Sequence, residues 1–157
     1  QAEELKSEGA DAVVVFNEKE QTPEQLREVV AKHLGDSGVK YAIDPVGGAT
    51  GSAVVECLGR GGRLLVYGTL SDDPLSFSPR RLIGPGARIE GFWLTNSMDS
   101  LGLLSKLRLV KQVGRLVRDG VLASEVGATI PLAQVREAVA ASEEPGRRGK
   151  MLLRIGE

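Results

Sequence analysis

Ala12-Val13-Val14-Val15-Phe16 is an unbroken apolar, β-branched run between polar neighbours, the pattern of a strand covered on both faces of a parallel sheet. Ahead of it, Ala2-Glu3-Glu4-Leu5-Lys6-Ser7-Glu8 has helix-forming composition and stops at Gly9. Beyond it, Thr22-Pro23-Glu24-Gln25 is a capping box with proline in the first turn, which predicts a helix running to Leu34 with Gly35 past its end. A second strand is expected over 39–46, a helix over 50–58 closing at Gly59, a third strand over 62–68 and a fourth over 87–93. The order strand, helix, strand, helix, strand, loop, strand argues for right-handed crossovers and a mostly parallel, doubly wound sheet with helices on both faces.

The pattern changes after residue 98. Over 99–119 the apolar residues Leu103, Leu107, Val110, Val113, Leu116 and Val117 recur at helical spacing, and Gly120 supplies the stop. Arg108, Lys111, Arg115 and Arg118 share one face of that helix, either as its solvated side or as contacts to a phosphate-bearing substrate. A short strand around 128–130, a helix over 132–142 and a final strand over 151–155 follow. These elements do not continue the strand–helix alternation, so they are expected in a second sheet whose remaining strands are not in this chain.

Composition narrows the class. With 157 residues, 41% apolar and 26% charged, the chain reads as an ordinary globular protein with a real core. Twenty Lys and Arg against twenty-one Asp and Glu leave a net charge of −1, which supplies no long-range field for nucleic acid or an anionic membrane. No apolar run reaches the roughly 18 to 20 residues of a membrane span, and the front carries no basic-then-apolar leader, so the expectation is a soluble, intracellular protein. One cysteine, Cys57, builds no disulfide framework and suits a reducing compartment. The opening at Gln1, already inside a helical stretch, suggests that something upstream is missing or processed away.

Candidate chemistry is sparse. One histidine, His33, and one cysteine give neither a metal constellation nor a Cys-His dyad. No G-x-S-x-G elbow is present. Val46-Gly47-Gly48-Ala49-Thr50-Gly51 leaves a strand and opens a helix as a dinucleotide-binding turn would, with Asp72 about 20 residues on. Val46, however, stands where the first glycine is needed, and the competing reading is a glycine-rich turn at another strand end of the same sheet. Tyr67-Gly68-Thr69-Leu70 and Gly91-Phe92-Trp93-Leu94 each sit at the carboxyl end of a predicted strand. In open α/β sheets that edge faces the ligand; the alternative is that Phe92 and Trp93 fill core.

Four stretches together resemble the medium-chain dehydrogenase/reductase superfamily: Glu8-Gly9-Ala10-Asp11-Ala12-Val13, Ala42-Ile43-Asp44-Pro45-Val46-Gly47-Gly48, Gly61-Gly62-Arg63-Leu64-Leu65-Val66-Tyr67-Gly68 and Gly149-Lys150-Met151-Leu152-Leu153. The Gly91-Phe92-Trp93-Leu94 segment is most similar to the zinc-independent branch of trans-2-enoyl-thioester reductases, with quinone oxidoreductases close by. The resemblance spans nearly the whole chain and implies its carboxyl-terminal portion only. It implies an incomplete Rossmann-like parallel sheet over 1–98, a connecting amphipathic helix over 99–120, and a return segment of the catalytic domain over 121–157. The catalytic tyrosine, the glycine-rich first turn and the strand that chooses NADP over NAD would precede Gln1, so no catalytic residue is assigned in this chain. Strand 12–16 would then stand two strands away from the others.

By the same resemblance Tyr67, Gly68, Thr69 and Leu70 would hold the nicotinamide end of NADP, although Thr69-Leu70 is not the small pair usual there. Phe92, Trp93 and Leu94 would wall the cofactor cleft, and Lys150 would reach the cofactor from the terminal strand. No metal is implied. The activity implied is NADPH-dependent reduction of the activated double bond of an enoyl thioester, with quinone reduction as the alternative and a non-catalytic remnant or interaction module as a third reading. The expected partners are a small-molecule substrate and a second copy, docked through the edge strand near 87–93. The expected location is the cytoplasm, or the mitochondrial matrix in a eukaryote.

Overall fold

The chain is described by a computed structural model over residues 2–143 and 149–156. After helix α1 (Ala2–Ser7), α2 (Pro23–Leu34) begins at the capping box expected: Thr22 Oγ1 accepts from the Gln25 N–H at 3.3 Å, and Gln25 Oε1 accepts from the Thr22 N–H at 2.8 Å. Such a reciprocal cap satisfies two amides that a helix start otherwise leaves open. A 3₁₀ turn (Gly35–Ser37) leads into β1 (Val39–Asp44), which is followed by α3 (Gly48–Cys57), β2 (Leu58–Val66), the short α4 (Arg80–Ile83), β3 (Arg88–Gly91) and α5 (Leu94–Asp99).

Strands β1, β2 and β3 form one parallel sheet in that order. The fold class is therefore the α/β, parallel-sheet class expected. The register decides what the sheet can do, because it aligns Asp44 with Val66 and Val66 with Gly91. All three strands thus end together at their carboxyl edge. Two clusters hold α2 and α3 to one face. Leu26, Ala53 and Cys57 pack with Val14, Phe16, Val30 and Val39. Val55, Leu58 and Leu64 pack with Val39, Ala42, Phe77 and Ile89 among others. On the opposite face Tyr41 and Ile43 are exposed. An ion pair at 2.8 Å between Arg81 and Glu56, joined by a bond from Arg81 Nη2 to the Glu56 carbonyl, ties α4 to the end of α3.

The expected strand at 12–16 is corrected. Residues 12–16 make no ladder with any described strand. Their alternation survives without it: Val14 and Phe16 pack inward on the α2–α3 cluster while Val15 is exposed. A β-branched run states that a segment suits a sheet, but only a neighbour with free amides makes it a strand.

A second compact unit begins at Met98. It contains α6 (Leu103–Arg118), β4 (Val126–Pro131), a 3₁₀ turn (Leu132–Gln134), α7 (Val135–Ser142) and β5 (Lys150–Arg154). The single helix expected over 99–119 starts only at Leu103, with Gly102 as its N-cap, because a separate helical turn ends at Asp99. Strands β4 and β5 pair in parallel as a two-stranded sheet of their own. On α6 the apolar Leu103, Leu107, Val110, Val113 and Val117 are exposed, as are Arg108, Lys111, Arg115 and Arg118. No helix among the described residues is long and apolar enough to cross a membrane.

Candidate functional site: a cavity at the carboxyl edge of the sheet

Because β1, β2 and β3 end in register, the three loops that leave them are neighbours. The first loop is shaped by Asp44, only 2% exposed, whose carboxylate accepts from the N–H of Val46 at 2.8 Å and of Gly47 at 3.1 Å. The second loop is zipped to the first. The N–H groups of Tyr67, Leu70 and Ser71 donate to the carbonyls of Asp44, Pro45 and Val46 at 3.0, 3.2 and 2.9 Å. The third loop joins through the Phe92 N–H, which donates to the Val66 carbonyl at 2.8 Å. Trp93 then precedes α5, whose first turn is closed by Ser97 N–H to Trp93 O at 3.0 Å.

The second and third loops, with the start of α5, line an open cavity of about 360 Å³ formed by Val66, Tyr67, Gly68, Thr69, Gly91, Phe92, Trp93, Asn96 and Ser97. The structure thus gathers Tyr67, Gly68, Thr69, Phe92 and Trp93, five of the residues singled out in the sequence. Leu70 and Leu94 lie outside it, at 82% and 61% exposure. Phe92 is 39% and Trp93 67% exposed, so neither fills core in the described chain. Lys150 lies in the second unit, where it opens β5 opposite Val126 and its N–H donates to the Glu125 carbonyl at 2.7 Å. Asn96 and Ser97 are lining residues that the sequence reading missed. Their presence depends on α5 turning back over the strand end, and the expectation of a helix starting only at residue 99 hid it.

The lining suits a flat, partly polar ring. Its aromatic residues are Tyr67, Phe92 and Trp93, and its hydroxyl- and amide-bearing residues Thr69, Ser97 and Asn96. An added Cβ at Gly91 would meet nothing within 4 Å, so glycine there leaves open space at the cavity wall. At the Gly47-Gly48 turn the amides of Val46 and Gly47 are engaged by the Asp44 carboxylate. Cys57 is not among the lining residues: it is 4% exposed, its thiol donates to the Ala53 carbonyl at 3.3 Å, and burial followed by the nearby Glu56 charge pushes its pKa up to about 11. A thiol so held is a poor nucleophile near neutral pH.

A model of the zinc-binding dehydrogenase family matches residues 8–153. The mitochondrial enoyl-[acyl-carrier-protein] reductase of Kluyveromyces lactis is 33% identical over 115 residues, which are 72% of this chain and 30% of that protein. Its human counterpart is 27% identical over 154 residues, 97% of this chain and 39% of that protein. A crystal structure of a provisionally assigned NADPH:quinone reductase from Mesorhizobium loti superposes with a TM-score of 0.75 at 26% identity, covering 99% of this chain and 43% of that one. The chain therefore spans between 30 and 43% of the length of these relatives.

The family's description carries a metal that these residues do not fit. Among the described residues no three His, Cys, Asp or Glu side chains gather as ligands, and the buried Cys57 thiol is bonded within its own helix. With the family model matching residues 8–153, the chain belongs to the zinc-binding dehydrogenase family of the medium-chain dehydrogenase/reductase superfamily, as an α/β segment with no zinc site among its described residues.

Proposed function

We propose that the chain is the carboxyl-terminal portion of an NADPH-dependent reductase that saturates the activated double bond of an enoyl thioester. In this reading residues 1–98 complete the Rossmann cofactor domain, 99–120 connect, and 121–157 return to the catalytic domain. The observation that carries it is the gathering of Tyr67, Gly68, Thr69, Phe92 and Trp93 around one strand-end cavity, where open α/β sheets bind their ligands. At about 360 Å³ the cavity is at the small end of ligand sites and suits one ring rather than a whole dinucleotide. The bound nicotinamide would supply the hydride that goes to the β-carbon of the substrate.

The residues of this chain would do the positioning. Phe92 and Trp93 would flank the ring, the Gly68 backbone would approach its edge, and Thr69 and Asn96 would offer hydrogen bonds to a carboxamide. None of the lining residues is a carboxylic acid or histidine, and the proton added at the α-carbon is assigned to the catalytic tyrosine that the family resemblance implies ahead of Gln1. A homodimer formed through β3 agrees with that strand's place at one end of the three-stranded sheet. The mitochondrial names of the relatives favour the matrix as location in a eukaryote. The Mesorhizobium loti likeness favours quinone reduction as a second reading.

The test compares NADPH oxidation by the whole protein with crotonyl-coenzyme A and with 1,4-benzoquinone. Turnover of the thioester at the higher kcat/KM is expected, and turnover of the quinone alone would replace this reading with the second. Lys150 is proposed to reach the cofactor from β5 with a charge-assisted hydrogen bond of about 1.5 to 3 kcal/mol. Lys150→Met should then raise the NADPH Kd roughly ten- to a hundredfold. Arg147→Met and Arg148→Met, at positions outside the described residues, should do little, and equal effects from all three would return Lys150 to the role of a strand-end surface charge.

A further inference from the structure

We propose that Asp44 is the positioning residue of this site: its carboxyl group acts as an internal hydrogen-bond acceptor at the start of α3 and, through the turn it pins, fixes the loop that carries Tyr67, Gly68 and Thr69. The inference rests on the cofactor reading above for its consequence, but its geometry stands alone. Asp44 ends β1 at 2% exposure. Its Oδ1 accepts from the Val46 and Gly47 amides at 2.8 and 3.1 Å, and its Oδ2 accepts from Gly47 at 3.2 Å. A buried carboxyl group needs such donors.

The glycine pattern of the turn follows from this arrangement. A Cβ at Gly51 would overlap both Asp44 Oδ2 and Leu75 Cδ2, so the glycine that looks like the last of a phosphate-binding fingerprint leaves room for that carboxylate and for the Leu75 side chain. The Val46 and Gly47 amides are spent on that carboxylate, and the pinned turn presents the carbonyls of Asp44, Pro45 and Val46 in one fixed set. Each of the three accepts from the second loop, at Tyr67, Leu70 and Ser71. Gly68 lies so close to the turn that a Cβ would be 2.7 Å from the Pro45 carbonyl oxygen. Asp44 touches none of the cavity, yet releasing its turn releases the template on which the cavity loop is laid.

The experiment uses the whole protein with Asp44→Ala, Asp44→Asn and, as a control for general destabilisation, Leu64→Ala, whose side chain is fully buried in the sheet core. Amide hydrogen exchange and NADPH affinity are both measured. Asp44→Ala should speed exchange of the Tyr67, Leu70 and Ser71 amides at least about tenfold relative to the amides within β2, and raise the NADPH Kd by a similar factor. Asp44→Asn, which keeps the Oδ1 acceptor, should recover both to within about threefold. Leu64→Ala should speed exchange throughout the sheet without singling out that loop. Asp44→Ala exchange that leaves the loop unchanged, or that parallels Leu64→Ala, overturns the proposal. If the wild-type protein binds no NADPH, the cofactor reading falls while the exchange data still decide the role of Asp44. Should Asp44→Ala not fold, Asp44→Ser is read in its place with the same two outcomes.

Discussion

Gly68→Ala is expected to cut NADPH-dependent turnover of the whole protein by about 100-fold, the loss that a displacement of roughly 1 Å at a positioned ring produces. The new Cβ would meet the Pro45 carbonyl oxygen at 2.7 Å and its Cα at 3.2 Å. Both are main-chain atoms held by the bonds around Asp44, so the neighbour cannot turn away as a side-chain tip would. The second loop must move instead. That movement breaks the bonds from Tyr67 to Asp44 and from Leu70 to Pro45, 3.0 and 3.2 Å long, and carries Tyr67 and Thr69 away from the cavity. Gly91→Ala provides the contrast, because its Cβ would meet nothing within 4 Å and would act by filling space rather than by shifting a loop. Turnover and KM for both variants decide the matter: similar small losses would mean that the close approach at Gly68 does not set the site.

Gly59→Ala is expected to have the largest effect on stability, about 3 kcal/mol, at the upper end of the usual cost of forcing atoms into a packed interior. At this point β2 crosses the turn before β1 with no side chain between them. A Cβ on Gly59 would lie 1.8 Å from the Ser37 carbonyl oxygen, and one on Gly38 would lie 2.7 Å from the Gly59 Cα. The flanking Leu58 and Cys57 are buried in the two core clusters, which prevents the strand from sliding outward. Natural domains have only about 5 to 15 kcal/mol in all, so the loss should lower the melting temperature by roughly 6 to 12 °C. Thermal unfolding of Gly59→Ala and Gly91→Ala side by side measures it, and equal midpoints would show that the crossing relaxes freely.

Where the chemistry of an element is local, the sequence was sufficient to find it. Thr22, Pro23 and Gln25 define the start of α2 because every bond of that cap lies within three residues. Glycines after strands marked the loops that line the cavity, because a close approach at a strand end leaves few other residues possible. What the sequence concealed were relations across space. Asp44 reads as one polar residue at the end of a strand; that its carboxylate meets Val46, Gly47 and the helix position of Gly51 appears only once α3 folds back. The Gly47–Gly51 stretch therefore looked like a phosphate turn on spacing alone. Residues 12–16 carry strand chemistry without a ladder, since propensity is written in the segment and pairing is not. The cavity residues Asn96 and Ser97 were hidden by the polar composition of Thr95, Asn96 and Ser97, which weakens any helix signal ahead of Met98.

The central claim, that the strand-end cavity holds the nicotinamide end of the cofactor, is open to a direct optical test because Trp93 is the one tryptophan of these 157 residues. It lines the cavity and is 67% exposed in the chain as described. The measurement is its emission in the whole protein, with any tryptophan outside this sequence replaced, during titration with NADP⁺. The oxidised cofactor is chosen because it does not absorb where tryptophan emits, so a change reports contact and not energy transfer over a distance. Saturable quenching of Trp93, with a midpoint matching the Kd measured by calorimetry, is the predicted result. Calorimetric binding with no change in Trp93 emission at saturation would place the cofactor elsewhere and contradict the account.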